Sequence, residues 1–285
     1  MGGLTLPLVT APPGLARRVL RHRLGRAGLA IVLLVALLAL VAPLVAHDPT
    51  AIETARRLEA PSFAALLGTD ALGRDLFSRI VFGARWSLGA AAVTTALVLA
   101  IGVLVGLTAG YLGGMADALL MRIVDGLSAF PSLLLALAII GTLGPGLFNA
   151  VLALTAVGWA SYARVVRALV LSLRERPFVD AARATGASES HVLFRHVLPN
   201  VLPPVVVLAT VEMGEIILAL SALSFLGLGA QPPAPEWGAM LSDARGYLFT
   251  APRLMIAPGL AITIAVVGLN LLGDGLRDLL DPRQS

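Results

Sequence analysis

Six apolar stretches, each close to the length of one bilayer crossing, constrain this chain more than anything else in it. The first, residues 28–46, runs for 19 residues without a charge. The others lie within residues 86–116, 123–141, 147–162, 201–225 and 254–273. A helix rises 1.5 Å per residue, so roughly 20 apolar residues cross the hydrocarbon core. In lipid every backbone N–H and C=O must be paired inside its own segment, and runs of this length satisfy that as helices. Composition agrees: of 285 residues 58% are hydrophobic and 13% charged, with a mean hydropathy of +0.89. The expected fold is an all-α polytopic membrane protein with six transmembrane helices.

Positive charge sets the expected orientation. Residues 1–26 carry Arg17, Arg18, Arg21, Arg23 and Arg26 and no acid. Such a segment before an apolar run can be a signal peptide, but this run is long and Pro43 and Leu44 interrupt any small-residue cleavage pattern. It reads as a first transmembrane helix, 27–46, with a cytoplasmic N-terminus. Six spans then leave 14 arginines in inner segments and 7 in outer ones, which favours both termini inside. Residues 47–85 form an outer loop in which Thr69 or Asp70 caps an amphipathic surface helix with Leu72, Leu76, Phe77 and Ile80 on one face. Residues 86–273 form a five-helix core, and 274–285 an inner tail. Gly102, Gly106 and Gly110 recur every fourth residue and mark a face for close helix packing.

Several function classes are disfavoured. There is no cysteine, so disulfides and thiolate metal sites are excluded. Four scattered histidines form no metal cluster, and a net charge of +4 gives no support for nucleic-acid binding. No Gly-x-x-x-x-Gly-Lys loop is present, and no nucleophile has a partnered base. The expectation is a non-enzymatic chain with no cofactor of its own.

Residues 177–200 are too polar for a bilayer, with Asp180, Arg183, Glu189, His191, Arg195 and His196 between two spans. Pro177 suits the first turn of a helix, where its missing N–H costs nothing. Gly186 suits the left-handed end of that helix, and Ser188 can cap a second one. Val192, Leu193 and Val197 recur at helical spacing, and Pro199 is expected to stop the second helix. The segment reads as helix, glycine turn, helix at the membrane surface.

Asp180-Ala181-Ala182, Gly186 four positions later, and Leu198-Pro199 resemble the cytoplasmic loop of the permease subunits of ABC importers. Asp180 stands where that family usually has Glu, and His196 where it often has an aliphatic residue. Further stretches resemble the dipeptide, oligopeptide and nickel branch. They include Gly68-Thr69-Asp70 with Leu72-Gly73-Arg74-Asp75, Tyr111-Leu112-Gly113-Gly114 and Leu223-Ser224-Phe225-Leu226-Gly227. Pro235-Glu236-Trp237-Gly238, Asn270-Leu271-Leu272-Gly273-Asp274 and Asp281-Pro282-Arg283 complete them. The resemblance implies a coupling helix between spans 4 and 5, with Asp180, Ala181, Ala182, Arg183, Gly186 and Pro199 engaging an ATPase. It also implies a second homologous permease subunit, two ATP-binding subunits that hold ATP and Mg, and an extracytoplasmic substrate-binding protein. The chain is then a subunit of a peptide importer in the cytoplasmic membrane. Dipeptides are the leading cargo, with nickel chelates and glutathione as alternatives.

Glu212 and Glu215 lie three apart on one face of the fifth span. Ionisable groups inside a membrane point to function by default. They either line the substrate path or pair with an Arg or polar group of a sister subunit. A proton-coupled secondary transporter using them is the competing class, although no internal repeat accompanies them. Asn270 in the sixth span reads as an interhelical hydrogen bond or a path residue.

Overall fold

The structure, a computed structural model, describes residues 22–280. Most of the N-terminal arginine segment and the stretch Asp281-Pro282-Arg283 therefore lie outside the described residues. The major helices are α1 (Arg23–Val45), α2 (Leu76–Leu112), α3 (Gly114–Ser128), α4 (Ser132–Leu143) and α5 (Leu147–Arg174). After them come α6 (Pro177–Ala184), α7 (Glu189–Val192), α8 (Leu198–Phe225), α9 (Trp237–Asp243) and α10 (Arg253–Leu280). No strand occurs among the described residues. Five helices are long and apolar enough to cross a membrane, and the bent pair α3–α4 makes a sixth crossing if counted as one. Leu33, Leu34, Leu37, Leu40 and Leu44 of α1 are exposed, as suits a helix facing lipid.

The pair α3–α4 departs from the straight third span expected over 123–141. Its two halves meet at 87°. Pro131 causes the break: it has no N–H to donate, and its ring disfavours the helical conformation for Phe130 before it. Only Gly113, at φ 68°, separates α3 from α2, so the expected return loop over 111–122 is largely helix.

The helix α2 is 37 residues long and begins ten residues before the expected span. The separate amphipathic helix in the outer loop is therefore a correction, because its face Leu76 and Ile80 is the first turn of α2. Neither Thr69 nor Asp70 caps it. Asp75 does, its Oδ2 accepting the Ser78 N–H at 2.8 Å. Gly73, at φ 77°, turns the chain just upstream and leaves Leu72 outside the helix. At the other end of the chain α10 runs on to Leu280, so the expected tail is mostly helical.

The core is built on α2 against α5 and α8, with α10 packed along α1 and α8. The glycine stripe explains the first contact. A Cβ on Gly106 would stand 2.6 Å from the Ala163 carbonyl and from Val166 Cβ, and one on Gly110 would stand 2.9 Å from Val170 Cβ. Only hydrogen on these α-carbons lets the α2 and α5 backbones approach this closely.

At the end of the bundle that carries residues 47–75 a buried charge cluster ties the first long loop to α9. Asp70 Oδ2 accepts from Arg74 Nε at 2.7 Å and from Arg79 Nη1 at 2.5 Å. Asp243 accepts from the same two arginines at 3.4 and 3.3 Å. Burial alone would raise the Asp70 carboxyl, but Arg79 and Arg74 outweigh that and hold it below the usual carboxylate range. Beside this cluster Trp237 is buried, and its indole N–H donates to the Ile80 carbonyl at 3.0 Å. The Glu236 carboxylate caps α9 through the Ala239 N–H and accepts from Ser87 Oγ at 3.0 Å.

Candidate functional site

Two places in the fold gather the sequence-selected residues: the polar segment between α5 and α8, and a cavity beside α8. The segment begins as its residues dictate. Pro177 occupies the first turn of α6. At the far end Gly186, at φ 87°, donates to the Arg183 carbonyl at 2.9 Å, and Ala187 N–H reaches the Ala182 carbonyl at 3.1 Å. These two bonds form a Schellman motif, which pairs carbonyls that the helix end would leave free. Ser188 Oγ then accepts from His191 N–H and starts α7.

Pro199 behaves differently from expectation. It does not stop the helix, because Leu193–Val197 widen into a π turn whose last bond runs from Leu198 N–H to Leu193 O. A proline within a helix lacks a donor and crowds the carbonyl four residues back. The wider turn contains that crowded carbonyl, of Arg195, and α8 continues through Pro199, Pro203 and Pro204.

The segment has two faces. Val179, Val192 and Val197 are fully buried against Val166 and Val170 of α5 and Val201 of α8, with Ala182 and Ala187 packed beside them. On the other face Phe178, Asp180, Ala181 and Ala184 are exposed. Of the sequence-selected residues, Asp180, Ala181 and Gly186 thus face outward, Ala182 faces inward, and Arg183 bridges. Arg183 pairs with Glu189 at 3.2 Å, joining α6 to α7. Tyr111 at the end of α2 donates to the Glu189 carbonyl oxygen at 2.9 Å and also to its carboxylate. Arg174 donates to the Gly110 carbonyl at 2.9 Å and lies 5.8 Å from the Tyr111 ring centre. The segment is therefore fixed to the ends of both α2 and α5.

The second place is a cavity of about 350 Å³ between α3–α4, α5 and α8, lined by Ser128, Ser132, Gly158, Ser161, Glu212 and Glu215 among others. The structure brings both glutamates to it. Asn270 is not part of it; it sits exposed on α10 opposite Gly214. At one rim Arg164 is held by Asp125 at 3.0 Å and Ser128 at 3.2 Å. Among the described residues no group of three His, Cys, Asp or Glu could hold a metal ion.

Residues 102–285 match the family described as the binding-protein-dependent transport system inner membrane component. The chain belongs to this family. Residues 15–61 match a second description, the N-terminal transmembrane domain of oligopeptide transport permease C. A dipeptide transport system permease protein of Alkalihalophilus pseudofirmus is 47% identical, over 94% of this chain and 88% of that one. A nickel transport system permease protein of Escherichia coli K12 is 45% identical, over 90% and 93%. A glutathione transport system permease protein of Pectobacterium atrosepticum is 45% identical, over 94% and 89%. A chain from inward-facing structures of the MetNI methionine ABC transporter shares the fold, with a TM-score of 0.58 at 23% identity over 72% of this chain and 98% of that one. The chain is an ABC importer permease of the peptide and nickel branch, a multi-pass inner-membrane protein whose family works with ATPase and binding-protein partners.

Sequence reasoning passed over Tyr111, Arg174 and Ser161 as parts of these two sites. Tyr111 appeared in a family-like stretch, but nothing in its spacing to Glu189, 78 positions away, signals a contact. Arg174 and Ser161 carry no pattern of their own.

Proposed function

We propose that this permease is the membrane subunit of an ATP-driven importer that carries peptides, dipeptides first, into the cell by alternating access. It pairs with a second homologous permease subunit and two ATP-binding subunits, and an extracytoplasmic binding protein delivers the cargo. The chain performs no chemistry itself; ATP and Mg belong to the partners. Both termini and residues 177–200 face the cytoplasm.

One observation carries this reading: α6 is anchored to the bundle by Val179 while Phe178, Asp180, Ala181 and Ala184 point away from it. An eight-residue helix with a fixed inner face and a small-residue outer face suits a ball-and-groove joint with another protein. Movement of an ATPase bound there passes through Arg183, Glu189 and Tyr111 to α2, and through Val179 to α5. Differential contacts in the two ATPase states then bias the inward- and outward-facing arrangements. Glu212, Glu215 and their cavity line the substrate path. Dipeptides are favoured by the 47% identical relative, and the nickel and glutathione relatives supply the other cargoes to compare.

The test is Gly186→Val and Ala181→Leu. Gly186 has open space around it but a positive φ, so a Cβ strains the backbone by roughly 1 kcal/mol or more. Both variants are expected to insert normally yet lose co-purification with the ATPases or lower transport per ATP hydrolysed. Wild-type values for both would refute α6 as the coupling element. Ala182→Leu, in contrast, probes packing, since Ala182 lies on the inner face.

A further inference from the structure

The cavity beside α8 has a chemical bias that follows from the charged groups that line it. Glu212 and Glu215 offer only acceptor oxygens when ionised. Among the described residues neither carboxylate has an ion pair. Ser161 donates its hydroxyl hydrogen to the Gly158 carbonyl at 3.0 Å, so it too presents lone pairs to the space. Ser128 donates to the Val124 carbonyl at 2.7 Å and accepts from Arg164. Arg164, at the rim, is held by Asp125 and Ser128 and is not among the lining residues. The lining contains no Arg, Lys or His.

A second observation points the same way. Tyr162, one residue beyond Ser161 on α5, is fully buried, and its hydroxyl has no hydrogen-bond partner among the described residues. It lies beside the Glu212 carboxyl. A buried hydroxyl left unpaired carries a free-energy cost, which a polar ligand or a water between it and Glu212 would relieve.

We propose that this cavity recognises the protonated amine of the transported solute, with Glu212, Glu215 and Ser161 as the three acceptors. An ammonium group has three N–H donors and no acceptor, which matches that set. Two carboxylates alone are too few for a resident metal ion, and no third His, Cys, Asp or Glu joins them among the described residues. The volume is within the range of sites for small molecules. An anionic group would meet two carboxyl groups and no cationic side chain in the lining. This inference rests on the reading of the cavity as part of the transport path, and it adds the chemistry of the solute that passes.

The chain contains no cysteine, so one can be placed at will. Ser161→Cys, in the purified importer complex in lipid nanodiscs, is treated with methanethiosulfonate reagents bearing either a trimethylammonium or a sulfonate group. Modification of this one position is followed by mass spectrometry. Relative to a free thiol, the cationic reagent is expected to be favoured about tenfold, as two nearby carboxylates imply at intermediate dielectric. In Glu212→Gln/Glu215→Gln the preference should fall to that of the free thiol. Alanyl-alanine amide should slow modification, and its N-acetyl counterpart should not. Reaction with neither reagent would mean the cavity is closed to water, and the path reading falls together with this one. Equal reaction with both, or a preference unchanged by the two Gln substitutions, would leave the path reading standing and overturn amine recognition. Protection by nickel(II) alone, and not by the amide, would also overturn it.

Discussion

The Tyr111 hydroxyl donates to the Glu189 backbone carbonyl at 2.9 Å, and with it the end of α2 holds the start of α7. Glu189 in turn accepts from Arg183 of α6 at 3.2 Å. Three helices thus meet on one acidic residue at the end of the bundle. If α6 is the joint to the ATPase, this is the link between that joint and the longest helix of the permease. Tyr111→Phe removes the donor without removing the ring that packs near Arg174. The expected result is several-fold faster amide exchange over residues 177–192, with insertion unchanged, and fewer solutes moved per ATP. Unchanged exchange would show that Val179 and Val192 alone fix the segment.

The glycine stripe of α2 has a sharp internal control. Gly106→Ala forces a Cβ to within 2.6 Å of the Ala163 carbonyl, whereas a Cβ on Gly89 of the same helix meets nothing within 4 Å. Overpacking of this kind costs about 1–3 kcal/mol. Gly106→Ala should lower the thermal stability of the purified permease, while Gly89→Ala should not, and Gly106→Leu should abolish the folded product. Equal stability of the two alanine variants would contradict the close α2–α5 approach.

The cluster of Asp70 with Arg74 and Arg79 predicts both a mutational and a pH effect. Asp70→Asn leaves two buried guanidinium groups sharing Asp243, and breaking a buried pair costs about 3–5 kcal/mol. The Asp70 carboxyl titrates lower in the folded protein than unfolded, so its contribution is complete above about pH 4. It is lost as pH falls through the folded value. Thermal unfolding of wild type should therefore drop below that pH, and Asp70→Asn should lose most of this dependence.

Replacing Glu212 and Glu215 together with Gln should reduce uptake of free-amine dipeptides while the permease still assembles with its partners. Uptake into proteoliposomes, measured beside co-purification, separates the roles. Loss of assembly would assign the two carboxylates to contact with the sister subunit.

Orientation is tested by tags in intact cells. A tag at Ser188 should be protected from outside reagents, and tags near Glu59 or Ala234 should be accessible. Labelling of Ser188 from outside would reverse the proposed orientation and remove α6 from reach of a cytoplasmic ATPase.

The sequence by itself determined the elements whose cause is local. Apolar length specifies the membrane crossings, Pro177 and Gly186 bracket α6 through a missing N–H and a positive φ, and Ser188 starts the next helix. The recurrence of Gly102, Gly106 and Gly110 already marked a close-packing face, because spacing by four places residues on one side of a helix. Tertiary structure decided what depends on partners far along the chain. Leu76 and Ile80 looked like a separate surface helix until Trp237, more than 150 positions away, covered their turn of α2. Pro199 looked like a stop until a π turn gave the backbone a way past it. Glu212 and Glu215 were visible as a pair, but the lack of a cation in the lining of their cavity depends on Arg164 being held by Asp125, and Ser161 gives its hydrogen to the Gly158 carbonyl. Hydrogen-bond direction and charge pairing across helices are set by packing, and no spacing along the chain encodes them.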